Sequence, residues 1–312
     1  MTETRTSELV VGLPVVATGD ADALDRIADL SPAKRTLRRF LSHRLAVFGA
    51  LVIGVMALCG LLAPIVAPHD PNKIDLLQIA QSPSLLHPLG TDAVGRDALS
   101  RVIYGARISL SVGVCAVGIY IAIGFVLGAL AGYAGGWVDN LLMRFTDIVM
   151  CFPTFVLILI LVGMLGPSIW NVIFAIGLFG WPGIARLVRG QVLQLRELDY
   201  VIAARILGAG AIDVMFRHIL PNVIGPLTVA ATLGIASAIL TEAGLSFLGL
   251  GVVQPTPSWG SMLNDARSPA TLAGKPWLWI APGVSISLAV LAINFIGDGL
   301  RDAFDVRSRA VG

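Results

Sequence analysis

The chain has 312 residues, of which 56% are hydrophobic and only 13% are charged, and its mean hydropathy is +0.82. Soluble globular domains carry about 25% charged residues, so this composition excludes an ordinary soluble protein and a disordered one. The net charge of +2, without basic runs that alternate with aromatic residues, excludes nucleic acid as a partner. The composition predicts a polytopic membrane protein.

Six stretches of the chain are long and apolar enough to cross a bilayer, which requires roughly 20 residues. The uncharged run from Ile148 to Ala185 is too long for one crossing, and Gly166-Pro167-Ser168 divides it into two. We therefore predict an all-α membrane protein with six transmembrane helices. The predicted spans cover residues 45–66, 108–131, 141–165, 169–187, 223–248 and 277–296.

The distribution of positive charge predicts the orientation of these spans. With the N-terminus in the cytoplasm, 16 of the 22 Lys and Arg residues fall in cytoplasmic segments, as the positive-inside rule requires. We expect a multi-pass protein of the inner (plasma) membrane with both termini in the cytoplasm. A flexible tail is expected over residues 1–33 and a second cytoplasmic tail over residues 301–312. The first span follows a charged tail and exceeds the roughly 7–15-residue core of a signal peptide, so we expect it to stay in the membrane.

The first loop, residues 68–107, is predicted to lie outside the cell and is longer than a connection requires. Its glycines next to Asp and Thr favour tight turns, and Arg96 can pair with either neighbouring aspartate. One interpretation is a folded loop that satisfies its own polar groups, and the other is a docking face for an external partner. The candidate partner-facing residues are Gly90, Thr91, Asp92, Gly95, Arg96 and Asp97.

The 186–222 segment, predicted to be cytoplasmic, contains two candidate short helices. Residues 198–207 have helical character, and Gly208 is suited to a left-handed cap at their end. A second helix is predicted over residues 211–219. Pro221 follows it and is tolerated in the first turn of the next span.

Small side chains on the first of these helices, at Ala203 and Ala204, favour close approach of a partner's cleft to the backbone. Arg205 and Arg217 can pair with acidic groups of that partner. The alternative is a basic loop that only follows the positive-inside rule. The residue pattern alone leaves both interpretations open.

Glu242 places a carboxylate within the fifth span, with Ser246 one turn later. A charge at that depth costs roughly 2.5–3.5 kcal/mol on insertion scales, so the side chain should face a protein or water-filled interior. We interpret the two residues as part of a pathway or gate. The alternative is a structural hydrogen bond to a neighbouring helix, or a position near the interface. Arg144 and Asp147 are three residues apart and can pair across one turn of the third span.

The sequence contains no pattern that indicates catalysis, a resident cofactor or a metal site. The phosphate-loop pattern fails because Pro276 follows Gly274-Lys275. The four histidines lack the spacing of metal ligands and are predicted to lie in different loops or on different faces. Apolar surroundings indicate buried, unpaired side chains for the cysteines, Cys59, Cys115 and Cys151. Any energy source should lie in another chain or in an ion gradient.

Several motifs together resemble one known family. Ala203-Ala204, then Gly208, then Leu220-Pro221 are similar to the cytoplasmic loop of permease subunits of binding-protein-dependent ABC importers. Tyr-Val-Ile-Ala-Ala-Arg at residues 200–205 and Arg-His-Ile-Leu-Pro-Asn at residues 217–222 resemble the dipeptide/oligopeptide/nickel branch. Similarity to the C-type subunit of that branch is found at residues 89–92, 95–97, 105–107, 245–251 and 297–302.

Two positions depart from the family pattern within the resemblance, which runs from about residue 34 to residue 309. Ile202 occupies the acidic position of the general loop pattern, so a contact made by that carboxylate is not carried over. Val306 stands where a proline is usual. The resemblance implies the type I ABC importer permease fold, with a core over residues 107–300. It also implies that the first helix and external loop, residues 34–106, are an addition of this branch.

The resemblance further implies the partners of the chain in the lipid bilayer. These are a second permease subunit in a heterodimer, two ABC ATPase subunits or one fused ATPase, and an extracytoplasmic substrate-binding protein. ATP and Mg²⁺ would bind to the ATPases, and this chain would be neither an enzyme nor a cofactor carrier. The residues implied in ATPase docking are Ala203, Ala204, Arg205, Gly208, Ala209, Arg217, His218, Leu220 and Pro221.

The resemblance favours dipeptides or oligopeptides as the transported solute. Nickel or another small solute is the alternative within the branch, because the scaffold is shared. An ion-driven carrier or channel is an alternative of a different class, and it predicts more ionisable residues at mid-membrane. A membrane-anchored scaffold without a transport role is a third possibility.

Overall fold

The computed structural model of the chain describes residues 32–304. Within these residues the chain forms helices and loops and no β-strand, as predicted. The expectations for the N-terminal tail up to residue 31 and for the C-terminal tail from residue 305, including Val306, lie outside the described residues.

Thirteen α-helices can be numbered in chain order within the described residues. A π-helical turn, Val214–Ile219, joins the ninth to the tenth. The helices are α1 Pro32–Ser42, α2 Arg44–Leu61, α3 Ala63–Val66, α4 Ala98–Ala134, α5 Gly136–Met150, α6 Thr154–Leu165, α7 Ile169–Leu195, α8 Asp199–Ile206, α9 Ala211–Asp213, α10 Leu220–Phe247, α11 Trp259–Asp265, α12 Pro269–Gly274 and α13 Trp277–Phe304.

Five continuous helices of the described chain are long and apolar enough to cross a membrane, and they correspond to five of the predicted spans. Four of them extend beyond the predicted limits, most of all α4, which has 37 residues. The apolar stretch marks only the part of a helix that lies in hydrocarbon, and the backbone hydrogen bonds continue past it. The sixth span exists only if α5 and α6 are counted together.

The predicted span over residues 141–165 is not one continuous helix. The chain bends by 78° between α5 and α6, at Cys151-Phe152-Pro153. Pro153 has no N–H to donate to the preceding turn, and its ring disfavours a helical conformation at the residue before it. Hydropathy does not detect this break because every residue around it is apolar or small.

The packing of α4 against α7 forms the centre of the molecule. Glycines at Gly124, Gly128 and Gly132 repeat every four residues along one face of α4 and meet α7 directly. A Cβ atom at Gly128 would lie only 2.4 Å from the backbone oxygen of Ala185. Small residues at such spacing let two membrane helices pack backbone to backbone, which replaces the hydrophobic drive that lipid does not supply.

Two further expectations from the sequence differ from the structure. Cys115 and Cys151 are exposed rather than buried, although the three cysteines are unpaired as expected. The outer surface of a membrane protein is itself apolar, so an apolar stretch does not imply burial. Asp147 pairs with Arg186 on α7 rather than with Arg144 on its own helix, because α5 packs against α7 and brings that guanidinium within reach.

We predict that Gly128→Ala lowers the thermal midpoint of the detergent-purified chain. The added methyl group would overlap a backbone atom that cannot move alone, and overpacking of this kind costs about 1–3 kcal/mol. Gly118→Ala, on the same helix, is the matched control because a Cβ at Gly118 meets no atom within 4 Å. Equal midpoints for the two variants would show that the α4–α7 contact is not tightly packed.

Candidate functional site

The 186–222 segment connects α7 to α10 and is organised around α8. This helix ends as the sequence predicted, with Gly208 at a φ of +90°. The Gly208 N–H donates to the Arg205 carbonyl and the Ala209 N–H donates to the Ala204 carbonyl, both at 3.0 Å. These two bonds form a Schellman motif, which requires a left-handed residue and therefore favours glycine.

The second predicted helix of this segment is not a separate element. Residues Ala211–Phe247 form one continuous helix of 37 residues, in which the π-helical turn precedes α10. Pro221 lies in the first turn of α10, as predicted. Pro221 has no N–H to donate, and the wider hydrogen-bonding pattern of the π turn tolerates this missing donor. The helix therefore continues through a position where the sequence indicates a helix end.

Buried side chains and hydrogen bonds hold α8 in place. Val201, a residue of α8, is fully buried. Asn222, on α10, donates to the His218 carbonyl at 2.8 Å and to the Tyr200 hydroxyl at 3.3 Å. Arg196 donates to the Gly132 carbonyl on α4 at 2.8 Å. The segment is therefore fastened both to α10 and to the end of α4.

The surface of the 186–222 segment is more apolar than the sequence analysis recognised. Ala203 and Gly208 are exposed as expected, and beside them Ile206 and Leu207 are 80% and 87% exposed. Ile212 is 76% exposed. These branched side chains lie outside the predicted spans. Large apolar residues in a segment between two spans were the sequence signal that could have identified this surface. An apolar patch on a short polar segment is typical of an interaction site.

The remaining residues implied in docking differ in their surroundings. Arg205 lies over the ring of Tyr133, with its guanidinium carbon 5.2 Å from the ring centroid. Arg217 is 77% exposed and pairs at 3.1 Å with Asp213, one turn away. The other members are half-buried or exposed along the same surface: Ala204, Ala209, His218, Leu220 and Pro221. Arg217 therefore offers the more accessible positive charge.

The first loop lies at the opposite end of α10 from the 186–222 segment. Arg96 joins it to the chain that follows α10, through bonds to Gln254 at 2.7 Å and Asp265 at 3.3 Å. Arg101, at the start of α4, is almost completely buried and donates to the Pro71 carbonyl and to Gln254. These long-range partners were not identified from the sequence.

Asp92 is the centre of a charge cluster in the first loop. It accepts from Arg96 Nε at 2.6 Å and lies 3.7 Å from Arg101 Nε. Burial raises the pKa of the Asp265 carboxyl in this cluster, and the guanidinium groups of Arg101 and Arg96 act in the opposite direction. The expected pairing of Arg96 with a neighbouring aspartate is confirmed at Asp92.

The six candidate partner-facing residues of the first loop point inward. Five of them are buried, and the Arg96 side chain is only 11% exposed. Thr91 donates to the Gln78 carbonyl and accepts from the Gln81 N–H. This geometry supports a folded loop that satisfies its own polar groups. Exposed leucines such as Leu77 and Leu85 lie on the outward surface, beside exposed polar residues such as Asn72 and Lys73.

Glu242 is completely buried at the contact of three helices. Its carboxylate accepts from Ser246 Oγ at 2.7 Å and from Ser109 Oγ, on α4, at 3.1 Å. Ser109 Oγ in turn accepts from the backbone N–H of Trp259, the first residue of α11. The prediction that Glu242 faces a protein interior is confirmed. Its partners support the structural interpretation, because each of its two carboxylate oxygens accepts a hydrogen bond from a serine hydroxyl.

The prediction that the histidines lie apart was wrong for two of them. The rings of His69 and His87 in the first loop have centroids 4.7 Å apart, and both lie near Asp97. They are eighteen positions apart in the sequence and no regular element spaces them. Only the fold of the loop brings them together.

Known families match most of the chain. Residues 124–310 match the family described as binding-protein-dependent transport system inner membrane component. Residues 31–88 match the N-terminal TM domain of oligopeptide transport permease C. The two matches cover separate parts of the chain, and residues 89–123 lie between them.

Relatives are similar over nearly their whole length. A protein of Brucella suis biovar 1 whose name describes a peptide permease is 48% identical over 281 residues, 90% of this chain and 93% of its own. The dipeptide transport system permease protein of Alkalihalophilus pseudofirmus is 41% identical over 92% of this chain and 93% of its own. The oligopeptide transport system permease protein of Bacillus subtilis is 39% identical, with coverage of 93% and 94%. The chain therefore belongs to the family of inner-membrane components of binding-protein-dependent transport systems, as a C-type permease of an ABC importer.

Proposed function

We propose that the chain is one of two permease subunits of an ATP-driven importer of dipeptides or oligopeptides. The names of its relatives support peptides as the solute class. The observation that carries the proposal is the exposed helix α8, which ends in the Schellman motif at Gly208 beside an apolar patch. A short rigid helix with small residues and an apolar rim fits the groove of a second protein.

The partner of this surface is an ABC ATPase in the cytoplasm, present as two subunits or one fused chain. ATP and Mg²⁺ bind to that partner. Ile206, Leu207 and Ile212 supply the apolar contacts, and Arg217 supplies an exposed charge for an acidic group. This assignment places both termini of the chain in the cytoplasm, in agreement with the positive-inside rule.

ATP binding drives transport by moving the 186–222 segment. Closure of the ATPases would pull α8 toward its counterpart on the second permease. Because Tyr200 of α8 accepts from Asn222 of α10 and Arg196 donates to α4, the two long helices would move with it. This is a rigid-body transition between two states, in which ATP stabilises one of them.

The opposite face receives an extracytoplasmic binding protein. The buried charges of the first loop give it a fixed shape, and its exposed leucines form the contact surface. Residues 34–106 thus act as the addition of this branch to the core over residues 107–300. The six inward residues of the loop, Gly90, Thr91, Asp92, Gly95, Arg96 and Asp97, contribute by holding that shape.

The pathway lies beside α10 on a face different from that of Glu242. A cavity of about 380 Å³ is lined by Ser237 and Thr241 of α10, Phe155 of α6 and Gly180 of α7. It opens next to the bend between α5 and α6. The second permease would complete this cavity, and Glu242 with Ser246 would support α10 behind it.

A pull-down in mild detergent, followed by uptake assays in cells that lack the chain, tests the function. We expect an ATPase and a second permease to co-purify, and the uptake of labelled peptides to be lost without the chain. Nickel uptake lost in place of peptide uptake would favour the alternative solute. A chain that purifies alone and carries solute without ATP would be a carrier or channel.

We predict that Gly208→Val abolishes peptide uptake and reduces ATPase co-purification, while membrane insertion is unchanged. A β-branched residue at a φ of +90° is strained by about 1–3 kcal/mol, which would unwind the end of α8. Gly210→Val is the control, because Gly210 has a φ of −69° that valine adopts readily and a Cβ there meets no atom within 4 Å. Equal uptake by both variants would contradict the docking assignment.

We predict that Glu242→Gln retains uptake, whereas Glu242→Leu lowers the thermal midpoint and the amount of folded protein. Glutamine keeps the shape and can still accept from one serine, but leucine leaves buried hydroxyls of Ser109 and Ser246 without an acceptor. Such a loss costs about 1–3 kcal/mol. A Glu242→Gln protein that is stable but inactive would assign the carboxylate to the pathway instead.

A further inference from the structure

The first loop brings three potential metal ligands together. One nitrogen each from His69 and His87 and one oxygen from Asp97 lie within 4.8 Å of one another. His69 follows α3, His87 lies in the middle of the loop, and Asp97 caps the first turn of α4. The three residues therefore come from the two ends and the centre of the loop.

The hydrogen bonds of His87 leave a place for a cation. Its Nε2 is hydrogen-bonded to the side-chain oxygen of Gln78, an acceptor that fits the tautomer in which Nε2 donates. The other nitrogen, Nδ1, then presents a lone pair, 2.8 Å from the Asp97 Oδ1 atom. A lone pair and a carboxylate repel at that distance unless a proton or a metal ion lies between them.

The surroundings of His69 favour a metal ion, rather than a proton, at the place between His87 and Asp97. Its Nδ1 is buried and has no hydrogen-bond partner in the described part of the chain, 3.7 Å from Asp97 Oδ1. A buried polar atom without a partner costs about 1–3 kcal/mol. Its backbone N–H is held by Ser100 Oγ at 3.1 Å, so the residue is fixed at this place. One proton between His87 and Asp97 would leave this nitrogen unsatisfied, whereas a shared cation would bind it.

Two of the three donor separations lie near the value for tetrahedral coordination, and the nitrogens of His69 and His87 lie within 4.8 Å of each other. Ligand atoms about 2.0–2.1 Å from a tetrahedral zinc ion lie roughly 3.3 Å from one another. The two distances from Asp97 Oδ1, 2.8 Å to His87 and 3.7 Å to His69, lie on either side of that value. Small side-chain movements would equalise them.

Groups around the three ligands orient them. The second oxygen of Asp97, Oδ2, accepts from the N–H and the hydroxyl of Ser100, both at 2.7 Å, which turns Oδ1 toward the histidines. Gln78 fixes the ring of His87 through the nitrogen that does not face Asp97. Hydrogen bonds of this kind usually accompany histidine and carboxylate ligands of metal sites.

We propose that the first loop binds one divalent transition-metal ion of the Zn²⁺ type through His69 Nδ1, His87 Nδ1 and Asp97 Oδ1. Two imidazoles and one carboxylate suit zinc. A cavity of about 190 Å³, also lined by Lys73 and Asp75, borders the cluster and supplies space for water as a fourth ligand. The ion would tie the two ends and the centre of the loop together. This proposal does not depend on the transported solute.

The test uses the full-length chain, purified in detergent with a tag that contains no histidine and then treated with EDTA. Zn²⁺ is titrated in competition with a chromophoric chelator. We expect one Zn²⁺ per chain, and binding weakened at least about tenfold by His69→Gln, which removes a ligand that makes no hydrogen bond through its ring nitrogen Nδ1. His218→Gln, a histidine far from the loop, is the control and should bind as the unchanged chain does.

A second variant keeps the three ligands and guards against misfolding. Gln78→Ala should weaken Zn²⁺ binding about 10–100-fold, because it releases the ring of His87. Zn²⁺ should also raise the thermal midpoint of the unchanged chain and of His218→Gln, but not that of His69→Gln. Equal Zn²⁺ affinity in His69→Gln and His218→Gln would overturn the proposal. So would the absence of stoichiometric binding by the unchanged chain.

Discussion

The close contact between α4 and α7 is the constraint on which the rest of the molecule depends. A methyl group at Gly128 would reach the backbone of α7, so the two helices are in contact along their main chains. At the end of this contact, the Gly132 carbonyl accepts from Arg196 and the ring of Tyr133 lies under Arg205. The position of α8 is therefore set by the register between α4 and α7.

The same helix controls the opposite face. α4 has 37 residues and, at 1.5 Å per residue, extends about 55 Å, which is longer than the hydrocarbon core of a bilayer. Its first turns hold Asp97, which caps the helix, and Arg101, which bonds to both the first loop and the chain after α10. A change in the tilt of α4 at one membrane face must therefore shift the residues that it contacts at the other membrane face. Close-packed interiors transmit such shifts because they do not compress.

The sequence was informative where a residue acts within a few positions of itself. Gly208 needs a left-handed backbone and Pro221 needs a first turn, and both requirements can be read locally. The apolar length predicted six spans, five of which are continuous helices, and the depth of Glu242 predicted its burial. Polar contacts between distant segments could not be predicted in this way. Arg96 bonds to Gln254 and Asp265, which follow it by about 160 positions in the sequence. Only the packing of α10 and α11 beside α4 brings these two residues near Arg96.

Membrane composition also conceals information that a soluble sequence would show. The bend at Pro153 and the exposure of Cys115 lie within apolar stretches, where hydropathy distinguishes neither a break nor a surface. The inward residues of the first loop were candidates for contact with a partner, but a polar residue in a loop can either face a partner or bond within the loop, and the sequence does not separate the two. Here several charges face one another, and leucines lie exposed on the outer surface of the loop.

Asp97 shows why these local assignments are linked. One of its oxygens caps α4 through Ser100, and the other faces His69 and His87. The beginning of α4 and the conformation of the first loop therefore share one carboxylate. Three turns further along α4, Ser109 bonds to Glu242, so the same helix that starts at the loop also supports α10. A ligand or partner that shifts the first loop would act on α10 through the start of α4, without contact with the spans themselves.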